Sequence, residues 1–211
     1  MLYIFDWDGT LCDSLDKIVA CTLAAADEIN IQRPSEDAVR NIIGLSLHNA
    51  ISQIFPNITS KQLTLLLESY SRHFVSDSFT KTEFYPGVEQ TLGRLLNDGH
   101  HLAIATGKSR KGLDRILKEM GLIEFFHGSR CADETSSKPD PHMLEELLEE
   151  FKVGPEQAVM IGDTEYDMAM AQQLGMPRIA VSYGAHHIDR LKVYEPVLCV
   201  DQIDELLVWQ N

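Results

Sequence analysis

Long apolar runs are missing from this 211-residue sequence, and no stretch approaches the roughly 20 residues that a membrane span needs. The marks of a signal peptide are absent too: the apolar run Leu2 to Phe5 has no basic flank and is cut short by Asp6 and Asp8. Cysteine is scarce. Cys12, Cys21, Cys131 and Cys199 are scattered without a C-x-x-C pair, which excludes a disulfide framework or a zinc ribbon and reads as reduced thiols. The expectation is a cytoplasmic protein with no membrane partner, in which the sequon Asn57-Ile58-Thr59 carries no glycan. Basic residues are also few, 18 Lys and Arg against 32 Asp and Glu, for a formal net charge of −14. Nucleic acid is thereby disfavoured, because its phosphates are held by clustered cations. An anionic ligand would need local positive charge to overcome the global field. Repeats, low-complexity tracts and long linkers are lacking as well.

What remains is enough for a core. At 44% hydrophobic, the chain is long enough for one domain with an insertion. Leu2 to Phe5 reads as a short buried strand. Helical spacing follows from Asp16 to Ile29, then from Ser35, a candidate cap, to Ile43, where Gly44 stops the pattern. Ser46 starts a helix to about Phe55, and Thr59-Ser60 precede one from about Lys61 to Phe79.

After Tyr85-Pro86-Gly87 the pattern alternates. Helices are expected over Val88 to Asp98, Gly112 to Met120, Pro141 to Phe151, Tyr166 to Leu174 and Gln202 to Trp209. Strands are expected at His101 to Thr106, weakly near Phe125-Phe126-His127, at Ala158 to Ile161, Arg178 to Ser182 and Val197 to Val200. Such alternation implies right-handed crossovers and an α/β fold with a mainly parallel, Rossmann-like sheet. The all-helical block interrupts that rhythm. It reads as an inserted all-helical cap spanning 14–84, with the core formed by 1–13 and 85–211; helices packed directly on the sheet are the alternative.

Polar residues collect where strands end: Asp6 and Asp8 after the first, Thr106 and Gly107 after the second, Asp163 and Asp167 after the strand at Ala158. Open parallel sheets bind ligands beyond the carboxyl ends of their strands, where the strand order reverses. A reversal beside the first strand makes Asp6 and Asp163 neighbours. A lone Asp there can simply cap a helix, but three polar strand ends with adjacent glycines ask for more. Several carboxylates in one crevice take up protons or share a cation, and an oxygen-rich set suits Mg²⁺. Gly9 can turn Asp8 away from Asp6, so that one attacks while the other handles a proton. Lys108, Arg110 and Lys111 form a small basic cluster suited to an anion, or else a solvated helix start. Asp6-Trp7-Asp8-Gly9 lacks the rest of a calcium loop, and Gly107-Lys108-Ser109 lacks the opening glycine of a P-loop.

The segment Phe5-Asp6-Trp7-Asp8-Gly9-Thr10-Leu11-Cys12-Asp13-Ser14 resembles the first motif of the haloacid dehalogenase-like hydrolases. Ala105-Thr106-Gly107 resembles the second, Lys138-Pro139 the third and Gly162-Asp163-Thr164-Glu165-Tyr166-Asp167 the fourth, in the right order across nearly the whole chain. A helical insertion between the first two motifs resembles the subgroup containing phosphoglycolate phosphatase, β-phosphoglucomutase and small pyrophosphatases.

The resemblance implies a phosphatase acting on a small phosphorylated metabolite. Asp6 would be the nucleophile that forms an aspartyl phosphate, and Asp8 the acid and base. Thr106 and the Gly107 amide would hold phosphoryl oxygens, and Lys138 would neutralise their charge. Mg²⁺ would sit on Asp6, the Asp8 carbonyl and Asp163, with Asp167 ordering metal waters or Lys138; Glu165 has no firm role. The second aspartate favours phosphate esters over halides, because a halide leaves without a proton. No convincing cap lysine for a phosphonatase Schiff base is found. A mutase, a pyrophosphatase or a non-catalytic binding protein remain the alternatives. Arg40, Gly44 and His48 lie at a break between cap helices, where such enzymes face substrate. Trp7 departs from the smaller residues common there, and His186 and His187 read as surface loop.

Overall fold

The computed structural model of the protein describes residues 1–76 and 82–209. Six strands form a parallel sheet: β1 (Leu2–Phe5), β4 (His101–Thr106), β5 (Gly128–Cys131), β6 (Ala158–Gly162), β7 (Arg178–Val181) and β8 (Leu198–Val200), in the spatial order β5-β4-β1-β6-β7-β8. Between β1 and β4 in the chain come β2 (Cys12–Asp13), four helices, β3 (Glu83–Phe84) and α5 (Val88–Asn97). The four helices are α1 (Leu15–Glu28), α2 (Glu36–Arg40), α3 (Leu47–Ile54) and α4 (Ser60–Val75). The later helices are α6 (Arg110–Met120), α7 (His142–Phe151), α8 (Glu165–Gln173) and α9 (Ile188–Lys192).

β1 is apolar throughout because helices cover both faces of a central parallel strand, so every side chain is buried. Tyr3 and Phe5 face a cluster with Leu92, Leu95, Leu113 and Ile116, whereas Leu2 and Ile4 face Leu144, Leu147 and Met160. The strand order reverses at β1, which lies between β4 and β6, and this places the sheet's crevice at the end of β1.

Side-chain hydroxyls cap several helices, at Ser35, Ser46 and Thr59 as expected and at Ser109 in addition. Ser35, Ser46 and Ser109 accept from the amides of Ala38, Asn49 and Gly112, and Thr59 forms a reciprocal box with Gln62. The helices α1 to α4 pack mainly on one another, sharing one apolar cluster around Ile18, Val39 and Phe74 and a second around Ala25, Ile51 and Leu66. At both ends of this block, β2 and β3 pair antiparallel, Cys12 opposite Phe84 and Asp13 opposite Glu83.

Several expected bounds move. The strand near Phe125-Phe126-His127 is a 3-10 turn, Ile123–Phe125, and the edge strand begins at Gly128. Gln202 to Trp209 is not an α-helix but a 3-10 helix, Ile203–Val208. α6 starts two residues before Gly112, at Arg110, because Ser109 provides the cap. The helix after Ser35 stops at Arg40 and turns to Gly44. α4 ends at Val75, and the expected end at Phe79 lies outside the described residues. All four cysteines are free, and no described helix is long and apolar enough to cross a membrane.

Candidate active site

Register builds the site. Phe5 lies opposite Ile104 on one side and Ile161 on the other, so the chain leaves the sheet at Asp6, Thr106 and Asp163 on nearly one level. Asp6, Thr106, Asp163 and Asp167 are all buried, as is Lys138 from the loop between β5 and α7. Lys138 Nζ donates at 2.6 Å to Asp6 Oδ1 and at 2.6 Å to Asp167 Oδ1. Asp167 Oδ2 accepts from the Thr164 amide and hydroxyl at 3.1 and 2.7 Å. Asp163 accepts from Thr10 Oγ1 at 2.9 Å and from the Ala185 amide at 2.7 Å. Asp6 Oδ2, by contrast, is buried without a hydrogen-bond partner.

The first turn depends on Gly9. Its φ of +85° lies in the left-handed region, and an added Cβ would stand 2.2 Å from Asp163 Oδ2. Asp8, pointing elsewhere, accepts from Ser14 Oγ at 2.6 Å and pairs with Lys108 Nζ at 2.8 Å. Thr106 Oγ1 accepts from the Lys108 amide at 3.2 Å. Trp7 packs in the core between Phe84 and Phe126.

Charge is crowded here. One carboxylate oxygen from each of Asp6, Asp163 and Asp167 lies within 4.8 Å of the others. Burial pushes Asp6 well above the ordinary carboxylate range; Lys138 pulls it down, while Asp167 and Asp163 add to the rise. Burial, then Asp167, pushes Asp163 up to about 7 against the Ala185 amide and the Thr10 hydroxyl. Burial alone would lower Lys138, but Asp167 and Asp6 outweigh it and keep the ammonium charged. Three carboxylates against one ammonium leave negative charge uncompensated. With the unpartnered Asp6 oxygen, this donor set fits a hard divalent cation. Asp167, with both oxygens already engaged, is placed to orient Lys138.

A cavity of about 820 Å³ opens above Asp6 and Asp8, between the core loops and the helical block. Gly44, His48, Gly107, Lys108 and Lys111 line it. Arg40 does not: its guanidinium is spent on Asp16. Arg110, the middle member of the basic cluster, turns to Glu134 and Asp114. Glu165 pairs with Arg190 at 2.6 Å.

His186 corrects the surface-loop expectation. It is buried, accepts from the Glu165 amide at Nδ1 (3.1 Å) and therefore donates from Nε2 to the Asn41 carbonyl at 3.1 Å. Tyr166 also donates to that carbonyl at 2.9 Å, and Arg190 to Asn41 Oδ1 at 2.6 Å. Asn41 thus ties the helical block to the core. No spacing in the sequence announces this, because the partners lie more than a hundred residues apart. His187 is exposed, as expected, and caps α9.

The family model described as "Haloacid dehalogenase-like hydrolase" matches residues 3–181. A Dickeya dadantii protein named "Probable phosphatase IndB" is 33% identical, over 98% of this chain and 91% of its own length. The phosphoglycolate phosphatase of Vibrio cholerae is 30% identical, over 98% and 95%. Among solved structures, a hydrolase from Pseudomonas syringae superposes with a TM-score of 0.86 at 24% identity, covering 98% of this chain and 96% of that one. The chain belongs to the haloacid dehalogenase-like hydrolases.

Proposed function

We propose that this hydrolase is a Mg²⁺-dependent phosphatase that cleaves small phosphate monoesters through an aspartyl phosphate on Asp6. The observation that carries it is the unpartnered Asp6 oxygen, buried beside Lys138 and Asp163 at the floor of a cavity. The names of the relatives support the same reading. In this scheme residues 1–13 and 85–211 form the catalytic core, and 14–84 a cap over it.

Asp6, Asp163 and the Asp8 backbone carbonyl would hold the cation, which supplies positive charge against phosphoryl oxygens. The carboxylate of Asp6 attacks phosphorus, and the ester oxygen leaves with a proton from Asp8. Asp8 then takes a proton from the water that hydrolyses the acyl phosphate, releasing inorganic phosphate and restoring Asp6. Lys138 neutralises the phosphoryl group, while Thr106 and the Gly107 amide hold its oxygens. Lys108, paired with Asp8, orients the acid at the phosphate's edge. Such division of labour suits a reaction whose catalysed acceleration reaches ~10²¹-fold.

Phosphoglycolate, named for the Vibrio cholerae relative, belongs to the same monoester class. Purified protein should release phosphate from an aryl phosphate with Mg²⁺ and stop on chelation. Asp6→Asn should lower kcat by ~10⁴-fold or more. Undiminished turnover in that variant would end the mechanism.

A further inference from the structure

The cavity above Asp6 has the wrong lining for a small, highly polar leaving group. Its walls are built from Ile18, Ile42, Ile43, Ile51, Leu67 and Phe74. Tyr70 stacks on Phe74 with ring centroids 5.7 Å apart, which makes a flat aromatic panel within the apolar lining. At about 820 Å³ it lies toward the upper part of the range, roughly 300–1,000 Å³, that encloses drug-sized ligands. A two-carbon acid would leave most of it unfilled.

Several polar groups in the wall are already committed to the fold. Thr22 Oγ1 donates to the Ile18 carbonyl at 2.8 Å, and Ser71 Oγ to the Leu67 carbonyl at 2.8 Å. Ser46 and Ser109 spend their hydroxyl oxygens capping α3 and α6. Of the cations, Lys108 is neutralised by Asp8 and sits 4.9 Å from the Phe74 ring centre. Arg115 pairs with Glu119 at 3.3 Å, and Lys111 stands exposed at the rim. Among the described residues of this wall, a carboxylate or second phosphate would find no free buried cation.

We propose that the leaving group is an apolar alcohol, a medium alkyl chain or an aromatic ring, seated against the Ile42, Ile43, Leu67 and Phe74 side chains while its phosphate lies at Asp6. This rests on the phosphatase reading for its chemistry, but the apolar seat can be measured separately. Straight-chain alkyl phosphates from ethyl to hexyl have leaving groups of similar basicity, so differences in kcat/KM report burial and not intrinsic reactivity.

With Mg²⁺ present, kcat/KM should rise about fourfold per added methylene, which is about 0.8 kcal/mol each. Hexyl phosphate should then exceed phosphoglycolate, glycerol phosphate and pyrophosphate. Calorimetric titration with ethyl-, butyl- and hexylphosphonate, which cannot be hydrolysed, should show the same gradient in affinity. Leu67→Gln, at a half-buried wall position, should cut the hexyl-to-ethyl ratio by about tenfold. A flat or falling series, a preference for phosphoglycolate, or a ratio untouched by Leu67→Gln overturns the assignment. Phosphate release with flat phosphonate affinities would sink the apolar seat and spare the phosphatase. A rising phosphonate series without turnover of any ester would do the reverse.

Discussion

Lys138 shows how a single residue organises the charge of the site. Its ammonium is fully buried and bonded to two buried carboxylates. Removing one partner of such a group strands the others. Lys138→Met should therefore destabilise the fold by about 3–5 kcal/mol. For a chain of this size that is a loss of roughly 10 °C in Tm by calorimetry. Adding Asp167→Asn should recover part of the loss by removing one stranded charge. An unchanged Tm in the single variant would show that the bridge contributes no net stability. At this scale the strand-end carboxylates Asp6 and Asp163 were legible as neighbours, and the fold does bring them together; Lys138, which donates to Asp6, stood out only through its place in the family's third motif. His186 was illegible, since an imidazole in a polar stretch reads as solvated until Tyr166 and Asn41 are seen closing over it.

Elements meet backbone to backbone at Gly107. A Cβ there would stand 2.4 Å from the Leu45 carbonyl oxygen and 2.6 Å from that of Gly44, so backbone of the helical block lies directly on the loop after β4. Gly107→Ala must push the two apart. Displacements near 1 Å at a reacting centre cost up to ~10²-fold. The variant should lose on the order of 10–100-fold in kcat/KM while Tm, measured alongside, falls much less than in Lys138→Met. Full activity in Gly107→Ala would mean that this approach is not needed for turnover. Local pattern predicted the long elements well, because continuous apolar runs and capping hydroxyls are local signals. It misplaced β5, whose Gly128-Ser129-Arg130-Cys131 sequence is half exposed at a sheet edge, and chose the apolar Phe125-Phe126 beside it. It missed β2 and β3 entirely, because two-residue strands exist only through their long-range pairing.

For the molecule as a whole, the proposed cation site would make stability depend on pH and metal together, because its carboxylates are crowded. Asp163, raised from 3.8 to about 7, binds a proton more tightly in the folded chain than in the unfolded one. Its contribution is present below pH ~4 and is lost as the pH climbs toward 7. His186 and His100, held low chiefly by burial, work in the opposite sense as the pH rises toward 6.5, so the comparison must isolate the aspartate. In chelator, Asp163→Asn should gain in Tm relative to the unaltered chain as pH goes from 5 to 7.5. Millimolar Mg²⁺ should raise Tm of the unaltered chain at pH 7.5 and leave the variant nearly unmoved. A pH-independent difference between the two would sever Asp163 from the linkage.

The short ribbon of Cys12-Asp13 against Glu83-Phe84 carries a consequence for how such a catalyst can change. The polypeptide departs from the layered body and comes back at one place, so the intervening stretch ends where it began. Its length and lining can be rewritten without re-threading any of the six strands, and little further closure entropy is at stake. Novelty in what is accepted can accumulate on one side of that clasp while the carboxylate crevice on the other stays as it was.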